Sequence, residues 1–253
     1  MKVTFLGTGT STGVPVIACP CEVCHSTDPR DNRTRASIML QDEKQTIVVD
    51  TGPDFRQHML REKVQDLDSV IFTHQHVDHV LGLDDLRPFN FLLNKDIELY
   101  GEERVFDSIK KNFFYIFENG KFSGFPRVNL HTIGLDPFEL NGLKITPIRV
   151  MHHRLPVLGF RFKDFTYITD ANYIDEVEKE KIKGSKVLVL NALQKHPHIS
   201  HFTLEEALAL IEELGVPENY LTHISHKMGS HVKISEELPK NVSFAFDGLK
   251  LTL

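Results

Sequence analysis

The 253-residue chain is 41% hydrophobic and 25% charged, long enough to bury the core of one layered domain. Its formal charge of −6, with no block of Lys and Arg, argues against nucleic acid or an anionic membrane surface and favours a small substrate. No apolar run could span a bilayer, and "MKVTFLGTGTSTG" turns to Thr and Gly too soon for a signal-peptide core, so the cytoplasm is the expected compartment.

In chain order, apolar and β-branched runs predict strands at "KVTFLG", "SIML", "TIVVD", "SVIFTH", "DIELYG", "KITPIRV", "TYITD", "KVLVLNA", "YLTHI", "SFAF" and "LKLTL". Helices are expected at "PDFRQHMLREK", with Pro53 at its start, at "EERVFDSIKKNFFY", and at "TLEEALALIEELG", which opens on Thr203 as N-cap and closes on Gly215. "FELNGLKI" and "FAFDGLKL" carry Asn-Gly and Asp-Gly between apolar alternations and read as tight hairpins, two echoes of one pattern. The Gly- and Pro-containing stretch "FENGKFSGFPRVN", residues 117–129, suits a mobile loop near a site. No linker or low-complexity segment interrupts the chain, so residues 1–253 are expected to form a single domain.

The stretch "IFTHQHVDHVLG", residues 71–82, sets His74, His76, Asp78 and His79 at the end of the strand "SVIFT" in the pattern H-x-H-x-D-H. Carboxyl ends of strands are where ligands gather in an α/β sheet. Alternation aims His74 and His76 to one side, and the following turn lets Asp78 and His79 face a second point nearby. One ion does not easily accept all four groups, whereas two ions about 4 Å apart can clamp a phosphoryl or carbonyl centre. Nitrogen and carboxylate donors suit manganese, zinc or iron.

Cys19, Cys21 and Cys24 crowd into "CPCEVCH". In a reducing compartment that spacing suggests a metal more than a disulfide framework. The embedded C-x-x-C-H marks covalent haem in exported proteins, but no export signal accompanies it.

The H-x-H-x-D-H run, with the opening strand that ends in "GTGTSTG", resembles the metallo-β-lactamase superfamily, whose fold is an αββα four-layer sandwich of the α/β class. The resemblance implies that His74, His76 and a histidine of "VMHH" bind one divalent metal. Asp78, His79 and His223 of "LTHIS" would bind a second, with Asp170 of "YITDAN" bridging both. His152 and His153 compete for the first role, and His152 is preferred because it follows directly on the strand. Three thiolates need a fourth ligand to close a structural zinc site. His25 would have to fold back beside Cys24, whereas His226, three residues after His223, could turn away and complete a Cys3His set.

The combination of Cys3His, H-x-H-x-D-H and "THISH" resembles, over nearly the whole chain, the phosphoribosyl cyclic phosphodiesterases of the carbon–phosphorus lyase pathway for phosphonate breakdown. That resemblance implies a dimetal hydrolase whose metal-held hydroxide opens a small cyclic phosphate. It assigns His201 as a catalytic group beside Asp78. Because His201 stands just before "FTLEEALAL", where outward backbone N–H groups and the helix macrodipole favour an anion, a phosphate is expected to meet both His201 and the start of that helix. His196 and His198 are taken as solvent-facing. The segment "VLVLNALQKHPH" departs from the family near Asn191 and Ala192. The partner expected is a small phosphodiester, with a homodimer left open. An endonuclease of the tRNA 3′-processing type and a thioester, lactone or lactam hydrolase on the same metals stand as alternatives; a non-hydrolytic member such as the pyrroloquinoline-quinone biosynthesis protein resembles the chain in its cysteines but lacks the intact two-metal motif, and the whole motif here argues for an enzyme.

Overall fold

The structure is a computed structural model that describes residues 1–117 and 124–253. In chain order the first half runs β1 (Lys2–Gly7), β2 (Ser37–Gln41), β3 (Thr46–Val49), α1 (Phe55–Glu62), β4 (Ser69–Ile71), α2 (Val77–Val80), α3 (Arg87–Leu93), β5 (Ile97–Gly101), α4 (Glu103–Asn112), α5 (Phe114–Phe117) and β6 (Val128–Thr132). The second half runs β7 (Phe138–Leu140), β8 (Leu143–His152), β9 (Leu155–Phe162), β10 (Phe165–Ile168), β11 (Tyr173–Ile174), α6 (Glu176–Ile182), β12 (Val187–Asn191), α7 (Leu204–Leu214), β13 (Glu218–Thr222), α8 (His231–Ser235), β14 (Val242–Phe244) and β15 (Lys250–Thr252).

These strands form two sheets, ordered β15-β1-β2-β3-β4-β5-β6 and β11-β8-β9-β10-β12-β13-β14, with β7 paired to β8. Three apolar clusters define the layers. One lies between the sheets and joins Phe5, Ile38 and Val49 to Leu158, Phe160 and Tyr167. A second packs α1, α3 and α4 on the outer face of the first sheet, and a third packs α6, α7 and α8 on the second. This is the αββα sandwich of the metallo-β-lactamase fold.

α7 shows how the sequence builds one layer. Leu204, Ala207, Leu210, Ile211 and Leu214 recur at helical spacing and are buried, each Leu or Ile contributing ~1.5–3 kcal/mol by leaving water. Thr203 and Glu206 close a capping box at its start, and Gly215 takes the left-handed conformation at its end. The Asn141-Gly142 turn, both residues at positive φ, joins β7 to β8 as the sequence predicts.

The Asp247-Gly248 segment does not form the second predicted hairpin. β14 pairs with β13 in one sheet while β15 pairs with β1 in the other, so the turn crosses between layers. The Asp247 carboxylate drives this. It accepts the backbone N–H and hydroxyl of both Thr8 and Thr34, tying the turn to the end of β1. The predicted echo of the first hairpin therefore has no structural counterpart. β6, β9 and β11 are strands that the sequence patterns did not reveal. Residues 118–123 of the predicted mobile loop lie outside the described residues.

In each sheet, parallel strands bring their carboxyl ends to one edge. β3, β4 and β5 pair in parallel, as do β10, β12 and β13, so Asp50, Thr73, Asp170, Asn191 and His223 emerge at neighbouring points. The chain after β1 bridges to Ile224 after β13 and closes the two edges over one another. No described helix is long and apolar enough to cross a membrane.

Candidate metal centre

At those strand ends lies a cavity of about 390 Å³ lined by His76, Asp78, His152, Asp170, His201 and His223, with Ser11, Gln75 and Val77. His74 and His79 form its buried floor. Their rings lie 4.2 Å apart, and His74 stands 4.6 Å from His76. Donor atoms of His74, His79 and Asp170 lie within 4.8 Å of one another, as do those of His152, Asp170 and His201. Every histidine and aspartate predicted for the catalytic pair therefore reaches one place, with Asp170 common to both groups. A wider groove of about 600 Å³ between Met1, Gln41, Lys44 and Leu143 has no histidine or cysteine on its walls.

The imidazoles are held in one orientation. The Asp50 carboxylate accepts from the Thr73 backbone and hydroxyl at 2.8 Å and from His79 Nδ1 at 2.7 Å. With the Thr73 proton given to Asp50, His74 Nδ1 donates to Thr73 Oγ1 at 2.9 Å. His152 Nδ1 donates to the Ser200 carbonyl at 2.8 Å. His223 Nδ1 faces Thr169 Oγ1 at 3.4 Å and Asp170 at 3.2 Å. His74, His79 and His152 thus spend Nδ1 on groups outside the cavity and leave Nε2 for it, whereas His223 Nδ1 stays beside Asp170.

The Nε2 atoms of His74, His79 and His223 are buried with no hydrogen-bond partner. A buried orphan acceptor costs roughly 1–3 kcal/mol, and three in one place would be costly without a cation to share. The donor set and its outer carboxylate fit divalent metals. Electrostatics agree. Burial opposes charge on His79, yet Asp50, Asp170 and Asp78 together raise its pKa well above the ordinary value, so carboxylates draw positive charge to this point. Asp170 is drawn down in turn, with His223 and His79 outweighing its burial.

Of the His152–His153 doublet, His152 lines the cavity. His153 is exposed, at φ 56°, and its backbone N–H is bound by Asn172 Oδ1 at 2.8 Å. Asp50, which holds His79 by its Nδ1, is a position that the sequence reading missed. A lone aspartate in "TIVVDTG" carries no motif, and only the parallel pairing of β3 with β4 sets it beside His79. Replacing Asp50 with Ala is expected to weaken metal binding on the order of ten- to a hundredfold, read by titration against a competing chelator. Unchanged affinity would show that packing alone orients His79. Gly52 sets a further limit, because a Cβ there would stand 2.2 Å from the Asp78 carbonyl oxygen.

Cys19, Cys21 and Cys24 place their Sγ atoms 3.2, 3.4 and 3.6 Å from His226 Nδ1. Tetrahedral zinc with bonds of about 2.3 Å to sulfur and 2.0 Å to nitrogen needs S···N separations near 3.5 Å, so this cluster fits zinc. The Cys24 backbone N–H, then His226, lowers the Cys21 thiol to about 6, while burial pushes Cys24 up to about 11. His25 lies outside the cluster, with its ring on the Cys21 carbonyl at 3.2 Å.

His201 sits beside Asp170, its ring stacked on His223 at a centroid distance of 4.8 Å and its Nδ1 buried and unpartnered. The expected phosphate site at the start of α7 is not there. Thr203 N–H is bound by Glu206, Leu204 N–H by the Gln194 carbonyl and Glu206 N–H by Thr203, so the capping box consumes the donors an anion would use. His198 is exposed at the surface yet tilts against His201 at 5.2 Å, so its solvent-facing assignment holds for only part of its ring.

A family described as the Beta-lactamase superfamily domain matches residues 45–224. A solved diphosphatase from the PhnP family is 38% identical, with a TM-score of 0.94, covering 100% of this chain and 97% of its own. An octanoyltransferase of Porphyromonas gingivalis is 39% identical over 253 residues, 99% of this chain and 51% of that protein. Ribonuclease Z of Methanosarcina acetivorans is 27% identical over 168 residues, 63% of this chain and 47% of that protein. The chain spans about half the length of these two curated relatives. With a match across most of its length and 38% identity to a solved member, the chain belongs to the beta-lactamase superfamily, as a metallo-β-lactamase-fold member of the PhnP family.

Proposed function

We propose that residues 1–253 act as one domain, a cytoplasmic phosphodiesterase that opens a small cyclic phosphate of the phosphoribosyl type and takes no nucleic acid. The observation that carries the reading is the convergence of donor atoms of His74, His79 and Asp170, and of His152, Asp170 and His201, on a shared Asp170, with the buried Nε2 atoms of His74, His79 and His223 and Nδ1 of His201 left without a hydrogen-bond partner. His74, His76, His152 and Asp170 would hold one divalent cation, and Asp78, His79, His223 and Asp170 the other. Bound there, manganese, zinc or iron would supply Lewis acidity and lower the pKa of water by several units.

The side chains do the positioning. Asp50 and Thr73 hold His79 and His74 in the tautomers that keep Nε2 free. Asn191 clamps both the N–H and the carbonyl of Ala171, at 2.8 and 2.9 Å, which fixes Asp170 in its left-handed backbone conformation at φ 55°. Burial, with His223 next, lowers His201 to about 3, so its resting imidazole is neutral. A neutral ring donates one N–H, and that suits a hydrogen bond to a phosphoryl oxygen that gains charge as the ring opens.

Ribonuclease Z similarity supports an RNA-processing endonuclease as the second reading, and a diphosphatase relative directs attention to phosphoanhydrides. The test is a panel of a ribose cyclic phosphate, a linear diester, a diphosphate, a precursor tRNA, a thioester and a lactone, each offered to protein loaded separately with manganese, zinc or iron. The cyclic phosphate is expected to show the highest kcat/KM. Cleavage of tRNA ahead of it, or of the thioester or lactone, would replace this reading.

A further inference from the structure

Gln75 stands between His74 and His76 in sequence, yet the two-metal arrangement gives it no task. Strict strand alternation would aim it away from both imidazoles. β4 ends at Ile71, however, so residues 72–76 are free of that alternation, and Gln75 joins His76 and Val77 on the cavity wall. Among the described lining residues, Gln75 and Ser11 are the two polar side chains that are neither proposed metal ligands nor His201. Ser11 is exposed, and its carbonyl accepts from Arg35 Nε at 3.1 Å, which fastens that wall to the Arg35–Asp54 ion pair.

The Gln75 carboxamide is not satisfied within the protein. Its Oε1 is buried and has no hydrogen-bond partner among the described residues. Two other glutamines show the usual arrangement, with Gln45 Nε2 donating to the Leu140 carbonyl at 2.8 Å and Gln194 Nε2 to the His196 carbonyl at 3.1 Å. A buried amide oxygen without a donor is costly, and so is holding a long side chain still, so a residue that bears both costs on a cavity wall points to a ligand. The chemistry of that ligand follows from the atom. Oε1 accepts and cannot donate, so it calls for an O–H or N–H. The oxygens of an ionised phosphate ester carry no proton to give, whereas a sugar hydroxyl does.

We propose that Gln75 determines specificity by accepting a hydrogen bond from a hydroxyl on the sugar carbon next to the scissile cyclic phosphate. This rests on the cyclic-phosphate reading above and deepens it, by naming the group that separates a ribose ester from a deoxygenated one. Position singles out that carbon. Gln75 adjoins two ligands of one metal, so the groups that reach its side chain are those closest to the phosphate.

The test compares ribose 1,2-cyclic phosphate with its 3-deoxy and 5-deoxy analogues, using the metal-loaded wild type, Gln75→Leu and Gln75→Met, with metal content and melting temperature measured for each. The wild type is expected to prefer the ribose compound over the 3-deoxy analogue on the order of ten- to a hundredfold in kcat/KM, and to treat the 5-deoxy analogue as it treats ribose. Both variants should keep their metals, lose that preference through a fall on the ribose compound, and open the 3-deoxy analogue at close to the wild-type rate. No preference in the wild type, or a preference that survives in both variants at full metal content, would overturn the role of Gln75 and leave the functional reading standing. Loss of metal in both variants would overturn it as well, by making Gln75 a support for its neighbouring ligands. Failure of the wild type to open any of the three compounds would overturn the functional reading and the role of Gln75 together.

Discussion

Asp78→Ala should lower turnover on the order of a thousandfold or more with little change in melting temperature, whereas Cys21→Ser should lower the melting temperature by ~10 °C or more. The contrast comes from what each residue holds. Asp78 stands in the four-residue α2, its carboxylate 3.3 Å from His79 Nε2, and His79 remains anchored by Asp50 when it is gone. Cys21 closes a loop across 205 positions to His226. No side chain between residues 15 and 30 is buried, and Ile17 is 96% exposed, so no apolar packing would hold that segment without its metal. A structural zinc bound there would therefore contribute folding free energy directly. Melting curves, metal content and turnover measured together separate the sites. If Cys21→Ser kept its melting temperature and lost activity through the catalytic metals, the two assignments would have to be exchanged.

His201→Ala should keep its fold and metals and lose on the order of a hundredfold or more in turnover, the range for removing one oxyanion donor or general acid. The side chain is buried, and its Nδ1 lies 4.0 Å from Asp170 Oδ1, too far for a hydrogen bond. Among the described residues, none hydrogen-bonds to that nitrogen. Its proximity to His152 and Asp170 makes metal content the decisive control. Loss of one metal in the variant would make His201 a ligand, and near-normal turnover at full metal content would make it a packing residue.

The sequence was most legible where function and local geometry coincide. H-x-H-x-D-H falls within six residues on a strand end, and α7 announces itself through Thr203, its apolar spacing and Gly215. Asp170 and His223 needed the family resemblance, because neither belongs to a local motif and both sit at strand ends in left-handed backbone conformations, at φ 55° and 57°. Asp50, at φ 65°, shares that conformation and was missed. A non-glycine residue there costs about 1–2 kcal/mol and no local pattern predicts it; the surrounding hydrogen bonds impose it. β9 escaped notice because Pro156 and Gly159 break the strand pattern, although it pairs with β8 from Ile145↔Phe162 to His152↔Leu155. The Asp247 turn misled for a different reason. Asp-Gly marks a hairpin when its side chain is idle, and here the carboxylate is recruited by Thr8 and Thr34 from the other end of the chain.

The central claim is that one chain holds two metal sites, a dinuclear centre around Asp170 and a cysteine-bound zinc. Elemental analysis of protein purified without chelator tests it most directly. The account predicts about three metal ions per chain, one of them zinc that stays bound in Asp78→Ala and is lost in Cys21→Ser. One ion or none per chain, with every ligand intact, would contradict it.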